Sequence, residues 1–178
     1  MKTLINQIQN EQLNHFYTLT EFINNKPLAT KRRGLYWLWT NLDFSELKKA
    51  TPIKGSKEVP IDRLVEHRDG LNNITNINKD GFKIVYNGIG GYKKTPAAFG
   101  LRERINQEIT CNDYRTGTLN LARRFKPENW AISFFDFDDE KNKAILKTLK
   151  TKDPYADCAK DLENLWRLEF GTPILCRH

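Results

Sequence analysis

Cysteine is scarce in this chain: Cys111, Cys158 and Cys176 are odd in number, widely spaced and without a CxxC pair. That pattern argues against a disulfide framework or a zinc knuckle, and free thiols fit a reducing compartment. Apolar runs long enough to span a membrane are absent. Met1-Lys2-Thr3 opens onto a polar, Asn/Gln-rich segment rather than the apolar stretch of a signal peptide. The expected location is therefore the cytoplasm, with no membrane partner. Histidine is sparse and scattered, at His15, His67 and His178, so a serine or cysteine nucleophile has no evident base. Internal repeats and low-complexity segments are missing. The glycine-rich Asn87-Gly88-Ile89-Gly90-Gly91 matches neither the dinucleotide fingerprint nor the Gly-Lys-Ser/Thr ending of a P-loop, which removes nucleotide binding by either route.

What the chain has is positive charge. Lys and Arg number 29 against 22 Asp and Glu, a net charge of +7, with a pI near 9.3. This balance suits a polyanionic partner, although charge alone serves solubility equally well. The 178 residues suffice for one domain with its own core.

From Leu4 to Ile23 apolar residues recur at helical spacing, which predicts one or two amphipathic helices ending near Pro27. Residues 1–31 read as an N-terminal helical arm and 32–178 as the main domain. Gly34-Leu35-Tyr36-Trp37-Leu38-Trp39 is apolar and aromatic without helical period, a buried strand. The stretch 43–80, broken by Pro52, Gly55, Pro60 and Gly70, reads as an inserted loop outside the core. Phe82 to Tyr86 predicts a second strand, ended by a turn at the glycines that follow. Helices are expected from about Phe99 to Ile109 and from Leu119 to Phe125, the latter capped by a hydroxyl at Thr116 or Thr118. Trp130 to Phe135 is the third strand, and two helices, Asp139 to Leu149 and Pro154 to Phe170, complete the chain.

Two tyrosine-and-glycine strands, a helix bearing arginines and a late helical glutamate before a proline form an ordered constellation. In this the chain resembles the GIY-YIG nuclease superfamily. Gly34-Leu35-Tyr36 stands at the first Gly-Ile-Tyr, Tyr86-Asn87-Gly88 at Tyr-Ile-Gly, and Arg104 in Leu101-Arg102-Glu103-Arg104-Ile105 at the catalytic arginine. Leu162-Glu163-Asn164 stands at the glutamate helix and Thr172-Pro173 at the closing proline. Glu108 occupies the place, one turn after the arginine, where the family often has histidine or tyrosine. Leu175-Cys176 stands where an asparagine is common, and neither role carries over.

The resemblance implies an α+β fold, a small central sheet of about three strands flanked by helices, and metal-dependent hydrolysis of DNA phosphodiesters. Such hydrolysis needs an activated water and charge neutralisation at the phosphate. Glu163 would hold one Mg2+ or another divalent cation, which takes one or two carboxylates together with phosphate and water. Arg104 would present its planar fork to the phosphate. Tyr36 would accept the water's proton, with Tyr86 supporting or exchanging with it, provided that a neighbouring cation and metal-bound water depress its pKa. Lys93 and Lys94, after the glycines, are candidates for that depression or for phosphate contact. Lys93 is grouped with the catalytic residues and Lys94 with the DNA-binding ones. Lys31, Arg32 and Arg33, and the presumed helix start at Thr118 with Arg123 and Arg124, offer a backbone-phosphate grip.

An insertion before the second tyrosine and a free-standing chain look most like a type II restriction endonuclease acting on double-stranded DNA. Enzymes of this type often act as homodimers, for which the helical arm would supply an interface. Asn72, Asn73, Asn76 and Asn78 in the insertion have donors and acceptors suited to base edges. Two other readings remain: a non-catalytic DNA-binding module, and a PD-(D/E)xK nuclease using Asp139 and Lys141.

Overall fold

The computed structural model describes residues 1–91, 100–111, 113 and 116–177. The chain runs α1 (Lys2–Asn14), β1 (Phe16–Thr18), α2 (Leu19–Asn25), β2 (Gly34–Thr40), α3 (Phe44–Leu47) and α4 (Ile61–Arg68). It continues through β3 (Asn78–Lys79), β4 (Phe82–Gly90), α5 (Leu101–Ile109), α6 (Leu121–Arg124), β5 (Trp130–Asp136), α7 (Glu140–Leu146) and α8 (Pro154–Phe170). The class is α+β, but the antiparallel sheet has five strands in the order β1-β5-β2-β4-β3 rather than about three.

β2 carries no polar alternation because both of its faces are covered. Tyr36 and Leu38 point into one cluster with α2, α4 and α5, built around Phe22, Val65, Ile105, Ile132 and Phe134. Leu35, Trp37 and Trp39 point into the other, with Ile5 and Ile8 of α1 and Leu162 and Trp166 of α8. Successive strand side chains face opposite ways, so a strand between two helical layers is apolar throughout. Two of the buried indole N–H groups in these layers are paired, Trp39 Nε1 donating to Ser133 and Trp166 Nε1 to Gln9, each at 2.8 Å, whereas those of Trp37 and Trp130 have no partner among the described residues.

The two strands absent from the sequence reading are short. β1, three residues between α1 and α2, pairs with β5, and a capping box between Thr18 and Glu21 starts α2 directly after it. Residues 1–31 therefore belong to the sheet and its layers: Leu4, Ile5 and Ile8 are buried beside Trp37. β3 lies in the stretch 43–80 and hairpins onto β4. That stretch also supplies core, since Leu47, Val59, Ile61 and Val65 are fully or almost fully buried. The glycines after Tyr86 form no turn; β4 continues through Gly90, paired with β2.

Among the described residues no helix is long and apolar enough to cross a membrane.

Candidate active site

The register places Tyr36 opposite Gly88 in the neighbouring strand. A Cβ at Gly88 would stand 2.6 Å from Tyr36 Oη and 2.7 Å from Cζ, so the tyrosine ring lies where any larger residue would put its side chain. Tyr86 stands beside it, ring centroids 6.1 Å apart. Gly90 does the same for α5: a Cβ there would lie 2.8 Å from Leu101 Cα. The bare strand thus lets the helix approach closely enough to deliver Arg104. Gly88→Ala is expected to displace the Tyr36 ring and lower stability by about 1–3 kcal/mol, the usual cost of overpacking. Urea unfolding with an unchanged slope and a lowered midpoint checks this; a wild-type midpoint counts against the contact.

Arg104 and Glu108 are one helical turn apart on α5. Arg104 donates to Glu108 Oε1 at 2.7 Å and to Gln107 Oε1 at 3.0 Å. Tyr36 Oη donates to the same Glu108 oxygen at 2.9 Å, and Oε2 accepts the Leu119 N–H at 2.8 Å. On α8, Glu163 sits between Lys160 and Arg167 at i−3 and i+4, with N–O distances of 2.8 and 2.7 Å. Arg167 Nε also donates to Asn87 Oδ1 at 2.9 Å, which ties α8 to β4. The Asn87 N–H donates to Cys176 Sγ at 3.4 Å and the Leu175 N–H to Val85 O at 2.9 Å, so the C-terminal segment runs beside β4.

These groups meet in one cleft of about 260 Å³, lined among others by Tyr36, Tyr86, Arg104, Lys160, Glu163 and Arg167. Arg177 adds a fourth cation to the lining. Among the described residues Arg104, Lys160, Arg167 and Arg177 line the cleft together with Glu163, while Glu108 is buried against Arg104, so the excess of cations favours an anion. Tyr36, Tyr86, Arg104 and Glu163, four residues expected from sequence to act together, are therefore brought to one place.

The protein groups around the tyrosines do not by themselves depress their pKa. Burial first, and the Glu108 carboxylate second, push both Tyr36 and Tyr86 well above the usual value, and Arg104 only partly opposes this. Burial also raises Glu108 above the ordinary carboxylate range, against the opposing effect of Arg104 and the Leu119 N–H. The Cys176 thiol is pushed up to about 11, chiefly by burial.

Several expected DNA contacts are engaged elsewhere. Thr118 does not cap a helix: it is fully buried, and α6 starts at Leu121 with Asn120 as its N-cap. The Arg124 side chain is only 2% exposed, and with Arg123 it binds the Glu58 carboxylate at 2.7 and 2.5 Å. Arg33 is paired with Asp138 and Asp153 at 2.7 and 2.8 Å. Arg32 donates to Asp138 O at 2.9 Å and lies 3.5 Å from the Asp136 carboxylate. Of the cluster 31–33, Lys31 is exposed. Lys93 and Lys94 lie outside the described residues. Asp139 is the N-cap of α7 and accepts the Lys141 N–H at 2.9 Å.

Sequence reasoning missed Lys160, Arg177 and Asn87 as cleft residues and left Glu108 without a role. The spacing of Lys160, Glu163 and Arg167 on one face of α8 was a readable signal for the first. For Glu108 the readable signal was its i,i+4 spacing from Arg104, whereas its other partners come from β2 and from the loop before α6. No family model, no curated protein and no solved structure matches the chain.

Proposed function

We propose that the protein is a metal-dependent DNA endonuclease of the GIY-YIG kind, acting as a site-specific restriction enzyme. The observation that carries this reading is the convergence of Tyr36, Tyr86, Arg104 and Glu163 on one cationic cleft. A phosphodiester would enter as the anion that the cleft favours. Arg104, only 24% exposed and held by Glu108 and Gln107, has its guanidinium orientation set before substrate arrives. Tyr36 would take the proton of the attacking water, with Tyr86 holding the ring in place. Lys160, Arg167 and Arg177 would bind flanking phosphates.

Glu163 is the carboxylate that would hold Mg2+. Among the described residues no three His, Cys, Asp or Glu side chains gather as a metal cluster. A lone carboxylate still fits a cation that completes its shell with water and phosphate. One Glu163 oxygen is engaged by Lys160, whose side chain is 62% exposed and can yield at little cost. When bound, the cation supplies charge neutralisation at the phosphate.

Incubation of the purified protein with plasmid DNA and Mg2+ tests the proposal: discrete bands mean site-specific cleavage, a smear means a non-specific nuclease. Intact plasmid that is nevertheless bound means a non-catalytic DNA-binding module. Glu163→Gln is expected to abolish metal-dependent cutting and to leave DNA binding largely intact. Full activity in that variant removes Glu163 from the site.

A further inference from the structure

Glu108 is completely buried, with both carboxylate oxygens directed at specific partners. The groups facing it are Tyr36 from β2, Tyr86 from β4, Arg104 from its own helix and the Leu119 N–H. Tyr36 reaches the cleft from one side and donates its hydroxyl hydrogen to Glu108 on the other, at 2.9 Å. A carboxylate that accepts the hydroxyl of a residue lining a reaction cleft forms a proton path with its second step already aligned.

We propose that Glu108 is the terminal proton acceptor of the cleft, receiving the proton of the attacking water through Tyr36. This rests on the nuclease reading and assigns a residue that it leaves unused. The water O–H bond breaks as its proton bonds to Tyr36 Oη, while the Tyr36 O–H bond breaks and that proton passes to Glu108 Oε1. The water oxygen bonds to phosphorus, the P–O bond to the leaving sugar oxygen breaks, and that oxygen takes a proton from solvent water. After product departs, Glu108 returns its proton along the same path to the hydroxide left in solvent. Tyr36 is never an isolated tyrosinate, the species that burial beside Glu108 makes costly. The raised pKa of Glu108 makes it a stronger base than an exposed carboxylate. Glu108 does not line the cleft itself, so it acts through Tyr36 as a positioning residue.

The test is the pH dependence of single-turnover plasmid cleavage in Mg2+. Wild-type protein is expected to gain rate from acid pH and to level off at a midpoint above the usual carboxylate range. Glu108→Gln should lose roughly a hundredfold or more at the plateau, and its rate should rise with pH without levelling. Glu108→Asp should restore the levelling at a lower rate. A slower Glu108→Gln with an unmoved midpoint means that the residue is only a brace, and overturns the proposal. Should Glu108→Gln fail to fold, wild-type rates in mixtures of H2O and D2O decide. A curved dependence reports two protons in flight and supports the relay; a linear one overturns it. Absence of any cleavage by wild-type protein overturns the nuclease reading and this proposal with it, whereas cleavage with an unmoved midpoint overturns the proposal alone.

Discussion

Replacing Arg104 by lysine is expected to lower single-turnover DNA cleavage by roughly a hundredfold or more, the usual effect of losing one transition-state contact. The charge is conserved, but an ammonium is a point donor where the guanidinium offers a planar fork able to span two phosphate oxygens. Arg104 Nη1 and Nη2 donate to Gln107 and Glu108, so the fork's orientation is set by its own helix, and a lysine cannot keep both bonds and reach phosphate. Arg102 is the internal control. Two residues earlier, it points roughly 200° away around the helix. It lines a separate depression with Phe22, Ile23 and Lys26. Arg102→Lys should leave the rate within a small factor. Equal, small effects in the two variants, with DNA binding measured separately, would mean that α5 contributes only positive charge.

Glu58→Gln is expected to produce the largest loss of stability. Glu58 is 6% exposed and receives the Arg123 and Arg124 guanidinium groups, with the Asn120 amide donating to it at 2.8 Å. Removing the carboxylate leaves the Arg124 side chain, 2% exposed, as an uncompensated buried charge. Breaking a buried pair in this way costs about 3–5 kcal/mol. Each kcal/mol moves Tm by roughly 2–4 °C for a chain of this size, so a fall of roughly 6–20 °C is expected. Burial by itself would raise the Glu58 pKa. The bonds from Arg123, Arg124 and Asn120 override it and pull the group from its usual 4.5 down to about 2. The folded-state value lies below the unfolded one, so this stabilisation is complete above about pH 4.5 and disappears as pH falls towards 2. The gap in Tm between wild type and Glu58→Gln should therefore be constant near neutrality and close in acid. A gap that stays open at pH 2 would mean that Gln disturbs packing rather than charge.

The elements legible in the sequence are those whose own periodicity decides them. Gly34–Thr40, Trp130–Asp136, Leu101–Ile109 and Pro154–Phe170 all appear within one or two residues of their expected bounds, because each carries a continuous apolar or helical pattern. β1 was hidden inside a helical pattern, since three residues are too short to impose a period of two. The glycines of β4 read as a turn by local preference. Their close contacts with Tyr36 and Leu101 keep them in the strand. The stretch 43–80 read as surface because its helices have four and eight residues, too few to display a face.

For the site, Tyr36, Tyr86, Arg104 and Glu163 were nominated together by their order along the chain read against a family resemblance, not by any local pattern of their own. The sequence by itself also determined the excess of cations and the apolar central strand, both properties of composition and local pattern. Which cations remain available was decided only by the tertiary structure. Arg124 meets Glu58 across 66 residues, Arg33 meets Asp138 across 105, and Tyr36 meets Glu108 across 72. Such pairings leave no trace in local spacing, since a buried charge is stable only beside the particular partner that folding brings to it.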